Sequence, residues 1–186
     1  MPAALSVLAV ILIPQLPSRI TQVGGLLLQG MLVAVTLFAL FSTVDPGTPG
    51  FRRGRLVLNV LAYTSAFALF LLVYQTHTRS LLSGSLVATV ATLLAVELLR
   101  STTESNERVL SHAVVVGLVL GESTWALNYW PLPGLTGGLL LLLIFYLIVG
   151  LAQHILQNHL TRRVLVEFAF FALFALILIA VVGPGF

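Results

Sequence analysis

Six stretches of this chain run for about 20 residues each with almost no charge, and they decide most of what it can fold into. They are residues 22–43, 56–75, 80–99, 109–130, 135–154 and 164–183. A helix rises 1.5 Å per residue, so about 20 apolar residues cross the roughly 30 Å hydrocarbon core of a bilayer. In lipid a segment must satisfy its own backbone N–H and C=O groups, which leaves only helices or a closed barrel. Barrel strands would alternate in hydrophobicity over about ten residues. These runs are twice that length and apolar all round, so helix is expected throughout.

A seventh run, residues 3–16, is short and carries Pro14 near its end. It is expected to span with help from Pro2 and Gln15, the alternative being a half-inserted hairpin arm. The expected fold is therefore all-α, a polytopic transmembrane helix bundle of seven spans, or six if the short N-terminal run does not cross. Residues 1–186 then form a single integral membrane domain, because the runs leave no room for a separate soluble one. The connections agree with helix ends. Asp45-Pro46-Gly47-Thr48-Pro49-Gly50 is a concentrated breaker and Pro131-Leu132-Pro133-Gly134 a tight turn. Gln157-Asn158-His159 closes the 135–154 run.

Composition enters as an exclusion. Apolar residues make up 59% of the chain and charged ones 8%, against about 25% charged in a soluble domain. All nine basic residues are arginine, and there is no Lys and no Cys. Disulfides, thiolate nucleophiles and Cys-held metal or haem are thus excluded, as is Schiff-base chemistry on lysine. The net charge of +3 does not point to nucleic acid, because the arginines lie singly or in small groups between apolar runs. No basic residue precedes the apolar stretch that starts at Ala3, so no secretory signal is expected and residues 1–17 should be retained.

Those arginines also set an expected orientation. With seven spans, the loops on the N-terminal side hold Arg52, Arg53, Arg55, Arg100, Arg108, Arg162 and Arg163, and the opposite loops only Arg19 and Arg79. By the positive-inside bias the N-terminus is cytoplasmic and the C-terminus outside, in the plasma (inner) membrane; if residues 3–16 do not span, the N-terminus moves outside and the other loops keep their sides. Trp125, Tyr129 and Trp130 then fall toward the outer interface.

Three glutamates lie within apolar runs. Glu97 has Arg100 at i+3, and Glu167 has Arg163 four residues before it, so both can pair at a boundary. Glu122 is different: it lies about 20 Å into its run with no opposite charge within a helical turn. It is expected to face the bundle interior or a wet cavity. Trp125, Asn128 and Tyr129 follow on roughly the same face, and Gln29, Tyr74, His77 and Arg79 are candidate partners. Two uses compete for this stripe. Glu122, Asn128, Tyr129, Trp125 and Gln29 would form a substrate or proton site, or Glu122 would hydrogen-bond between helices. Just before it, Gly117 and Gly121 make a GxxxG step, and Gly84, Ala88, Ala91 and Ala95 offer a matching seam.

The histidines supply no haem pair. His154 and His159, at i+5, suit no single helix face; His112, His154 and His159 share one side of the expected topology, which leaves a three-ligand site as an alternative, but neither a metal nor a cofactor is expected. Arg162, Arg163 and Arg55 are candidates for holding lipid head groups, as basic interfacial pockets do.

The segment Glu122 to Pro133 (ESTWALNYWPLP), Phe145-Tyr146, and Leu160-Thr161-Arg162-Arg163-Val164 followed by Glu167 carry a resemblance. Over roughly residues 110–183 the chain resembles a family of small bacterial multi-pass membrane proteins known only as a domain of unknown function. The resemblance implies no activity, substrate or cofactor, but it suggests that the Trp125 region and the Arg162-Arg163 loop belong together. The expected function is a non-enzymatic structural, assembly or accessory membrane subunit. Its partners would be the lipid bilayer and either a helix of another subunit or further copies of itself. The alternative is a small-solute or proton-coupled transporter centred on Glu122. A lipid-modifying enzyme at the arginine-rich side is a more distant third.

Overall fold

The computed structural model describes residues 2, 5–6, 9–10, 13–15, 18–43, 51–75, 80–100, 105–129 and 132–182. Among them every regular element is helical. A short 3-10 turn at Ile13–Gln15 precedes α1 (Arg19–Ser42), α2 (Phe51–Gln75), α3 (Ser80–Leu99), α4 (Asn106–Leu127), α5 (Gly134–Leu156) and α6 (Arg162–Val182). The expected seven spans are not found: six α-helices are present among the described residues. In residues 3–16 the structure describes Leu5, Ser6, Ala9 and Val10, all helical, and that 3-10 turn, and half of the run lies outside the described residues. Pro14, within the turn, supplies no N–H to an i→i−4 bond, which works against continuing an α-helix there. The breaker at Asp45 to Gly50 also lies outside the described residues.

Four of the helices are long and apolar enough to cross a membrane: Gln22–Ser42, Phe51–Tyr74, Asn106–Leu127 and Leu135–Leu156. Ser83–Leu99 is a shorter apolar helix. Most of the outward-facing side chains are themselves apolar. On α1, Val23, Leu26, Leu27, Leu28, Met31, Phe38 and Phe41 are exposed, and on α6 Phe170, Leu173, Phe174, Ile177 and Leu178 are. Water would penalise such a surface and hydrocarbon would not.

The chain forms two compact units, Met1–Ser65 and Ala66–Phe186. In the first, α1 and the start of α2 meet at a glycine. A Cβ on Gly54 would fall against the Ser42 side chain and 3.0 Å from the Ala39 carbonyl oxygen, so only glycine allows the approach. Thr36, Ala39, Leu58 and Ala62 are buried. Thr36 and Ser42 hydroxyls donate back to the Leu32 and Ala39 carbonyls at 2.7 and 2.8 Å, so neither leaves a polar atom unpaired in an apolar setting.

In the second unit, α3 packs most extensively on α4, α4 on α5, α5 on α6, and α3 also on α5. Its core contains the end of α2. Phe70 meets Phe145 of α5 edge to face, with centroids 5.6 Å apart, among the fully buried Leu69, Leu94, Leu98, Leu120, Leu141 and Val149. Tyr74 is buried, and its ring lies where a Cβ on Gly137 would sit. Its hydroxyl is 3.4 Å from the Leu127 and Leu132 carbonyl oxygens, bracketing the α4–α5 connection. α5 ends in a Schellman motif: His159 N–H donates to the His154 carbonyl and Asn158 N–H to the Ile155 carbonyl, both at 3.0 Å. Asn158 takes the left-handed position at φ 55°, the usual place of glycine.

Candidate functional site: the α3–α4 groove

The α3–α4 pair is built on small residues. A Cβ on Gly84 would stand 3.2 Å from the Gly121 carbonyl oxygen, and one on Gly121 would stand 3.1 Å from the Gly84 carbonyl oxygen and 3.0 Å from the Ala88 Cβ. One on Gly117 would collide with the Thr92 hydroxyl and lie 2.6 Å from the Ala88 carbonyl oxygen. Backbones this close exchange dispersion over a long line of contact, which drives helix association where lipid removes the hydrophobic incentive. Gly84 and Ala88 thus meet the GxxxG step as their spacing predicts. Ala91 and Ala95 are fully buried along the same helix.

Two stripes on α4 follow from that seam. Gly117, Gly121 and Asn128 face α3. Asn128 Nδ2 donates to Ser83 Oγ across the helix pair at 2.6 Å. Thr124 is fully buried, with its hydroxyl donating back to the Leu120 carbonyl at 2.7 Å. One residue round the helix, Leu118, Glu122, Trp125 and Tyr129 are exposed. Trp125 and Tyr129 touch edge to face, with centroids 6.0 Å apart.

An open groove of about 360 Å³ runs between these stripes and α3. Gly84, Ser85 and Ala88 form one side, and Leu118, Gly121, Glu122 and Trp125 the other. Glu122 is on an outward-facing wall rather than in the packed interior. It lies about 24 Å along α4 from Asn106 and about 8 Å short of Leu127. The small residues that bring the helices together also hollow out the groove, because no side chain longer than Ser85 rises from the α3 wall. The stripe expected from the sequence therefore divides. Glu122 and Trp125 share the groove, Tyr129 flanks Trp125, and Asn128 is used to tie α4 to α3. Ser85 was not anticipated.

The other candidate residues are dispersed. Gln29 is on α1 in the first unit, and Tyr74 is committed to the α4–α5 connection. His77, Arg79 and Trp130 lie outside the described residues. Arg55 is half-buried on α2, while Arg162 and Arg163 are exposed at the start of α6. Arg163 Nε donates to Glu167 Oε1 at 3.0 Å, the i,i+4 pair expected at that boundary. The histidines are separate. A His112 ring nitrogen is 2.8 Å from the Arg108 carbonyl oxygen and one of His159 is 2.6 Å from that of Gln157, while His154 packs edge-on against Phe168. No group of three His, Cys, Asp or Glu able to hold a metal occurs among the described residues.

Residues 1–182 match the profile of a family described as a protein of unknown function, DUF5656. The chain belongs to the DUF5656 family. The match extends the resemblance seen in the last third to nearly the whole chain. The DUF5656 match covers residues from both compact units. No curated protein and no solved structure matches this DUF5656 chain.

Proposed function

We propose that this protein is a multi-pass integral membrane subunit without chemistry of its own. In that role it assists assembly or structure by accepting a helix of another subunit, or of a second copy, in the α3–α4 groove. The observation that carries this is the direction of Glu122: an acidic side chain on the outer wall of an apolar helix pair, beside a seam of glycine and alanine. A charged side chain facing lipid costs roughly 2.5–3.5 kcal/mol at the bilayer centre, and less toward the ends. A covering helix that supplies a hydrogen-bond donor removes that cost, and the small residues admit its backbone closely. The arginine distribution adds an orientation to the proposal: with six crossing helices, the loops carrying Arg52, Arg53, Arg55, Arg100, Arg108, Arg162 and Arg163 face the cytoplasm and both termini lie outside, in a single plasma-membrane domain.

The test is assembly state in mild detergent, by light scattering and native mass spectrometry. Wild type is expected as a complex of fixed stoichiometry. Glu122→Gln, which keeps a hydrogen-bonding side chain, is expected to retain it, and Glu122→Ala to weaken association by roughly 3- to 18-fold, the range of a hydrogen bond between membrane helices. A monodisperse monomer without a stoichiometric companion would overturn the proposal.

A second reading, small-solute or proton-coupled transport, is favoured by the groove's size. About 360 Å³ falls within the roughly 300–1,000 Å³ of small-molecule sites, with Ser85 and Glu122 as its polar groups. In reconstituted vesicles it requires Glu122→Gln to alter a pH-dependent flux. Identical flux and pH response would end it.

A further inference from the structure

We propose that a second pocket, between α5 and α6, binds the ammonium group of a zwitterionic phospholipid head group. The pocket has a volume of about 200 Å³ and is lined by Tyr146, Glu167, Phe168 and Phe171. Three of its four walls are aromatic rings and the fourth is a carboxylate. Tyr146 stacks on Phe168 with centroids 6.2 Å apart at 24° and meets Phe171 at 5.2 Å and 50°, so the three rings cluster at the wall of one pocket. Aromatic faces carry negative charge at their centres and attract cations, above all alkylated ammonium groups, which lose little hydration on entering. Glu167, paired with Arg163, adds a carboxylate at the rim.

The box is held open by packing on its other side. The Phe168 ring lies where a Cβ on Gly150 would sit and meets His154 edge-on at 5.7 Å. Phe168 is thereby fixed, while Phe171 and Tyr146 keep 45% and 39% of their surface exposed.

The ligand source follows from the surroundings. Arg163 is bonded to Glu167 at 3.0 Å, and Arg162 precedes it. A positive and a negative group side by side are the complement of a head group that carries phosphate and ammonium a few ångströms apart. Beyond the box, Phe170, Leu173 and Phe174 are exposed along α6, an apolar track for acyl chains. A free ammonium metabolite would use only the box. A phospholipid uses the box, the arginines and the track. The site is separate from the Glu122 groove, and the two proposals stand or fall independently.

The full-length protein is placed in mixed micelles of phosphatidylcholine, phosphatidylethanolamine and phosphatidylglycerol in equal amounts, then delipidated stepwise. Retained lipids are counted by native mass spectrometry. The two zwitterionic lipids together are expected to outlast phosphatidylglycerol about fivefold in occupancy, the size of one or two cation–π contacts at an exposed site. Phe171→Leu, which keeps an apolar side chain at a half-exposed position, is expected to remove most of that preference, and Glu167→Gln to reduce it. Choline chloride added up to millimolar concentration is expected not to displace the lipid. Displacement by micromolar choline would assign the box to a free cation and overturn the phospholipid proposal. Equal retention of phosphatidylglycerol, or a preference unchanged in both variants, would overturn it as well.

Discussion

Replacing Gly117 by alanine adds one methyl group to a 186-residue chain, yet it should be among the most damaging single substitutions in the α3–α4 pair. The new Cβ would meet two obstacles. The Thr92 hydroxyl is the end of a side chain and can rotate away, at the cost of its 2.8 Å hydrogen bond to the Ala88 carbonyl. The Ala88 carbonyl oxygen itself, 2.6 Å away, belongs to the backbone and cannot move unless α3 moves with it. Overpacking of this kind costs about 1–3 kcal/mol. Parting the helices would also forfeit the neighbouring Gly84–Gly121 approach. Gly121→Ala and Gly84→Ala, at 3.0–3.1 and 3.2 Å, should cost progressively less. Gly24 and Gly30 on α1 provide the control, since a Cβ there meets nothing within 4 Å. Alanine at either should be neutral or stabilising by up to about 1 kcal/mol, through helix propensity alone. Thermal unfolding in detergent reads the series at roughly 2–4 °C per kcal/mol. The double variant Gly117→Ala, Thr92→Ala removes only the rotatable obstacle and should recover part of the loss. If Gly117→Ala behaves like Gly24→Ala, the seam does not hold the pair and the reasoning fails.

At the α5–α6 corner, Asn158→Ala should cost about 1–2 kcal/mol and Asn158→Gly nothing or less, because the left-handed backbone strains a Cβ that has no side-chain amide to compensate. Unfolding midpoints of the two variants should therefore lie on opposite sides of wild type or coincide with it only for glycine. Asn128 and Ser83 should couple by about 0.6 kcal/mol, and by no more than about 1.7, in a double-mutant cycle with alanine. Strict additivity would mean that the 2.6 Å bond contributes nothing to holding α3 on α4.

The helices themselves were legible because an apolar run of bilayer length has few other ways to satisfy its backbone. The glycine seam was legible too. Gly117 and Gly121 lie four apart, and Gly84 and Ala88 repeat the spacing on the neighbouring run. The direction of Glu122 was not. A helix that is apolar on every side has no polar face to mark its exposed one, so periodicity says nothing about whether a single carboxylate points in or out. Asn128 and Glu122 share roughly one face on the helix wheel, yet two residues about 120° apart on adjoining stripes serve different neighbours. The α5–α6 contact was hidden for another reason. Tyr146, Gly150 and His154 follow at intervals of four, so spacing alone marks them as one face. That Gly150 is a socket for Phe168 depends on a partner eighteen residues away, and no local pattern encodes it. In the short 3–16 run, Pro14 sits in a 3-10 turn, a local break that hydrophobicity alone does not register.

Tyr74 carries a consequence for the order of events during synthesis. Its hydroxyl serves the carbonyls of Leu127 and Leu132, which lie 53 and 58 residues later in the chain. At about 5–20 residues per second the phenol waits roughly 3–12 seconds after it is made before those acceptors exist. Within that interval α3 and most of α4 are made, while the Leu127 and Leu132 carbonyls are not yet there to accept from Tyr74. The arrival of the α4–α5 connection gives two carbonyls one proton to share and seats the ring over Gly137 in the same step. A residue near the middle of the sequence thus acts as a latch that only the second half of the chain can close.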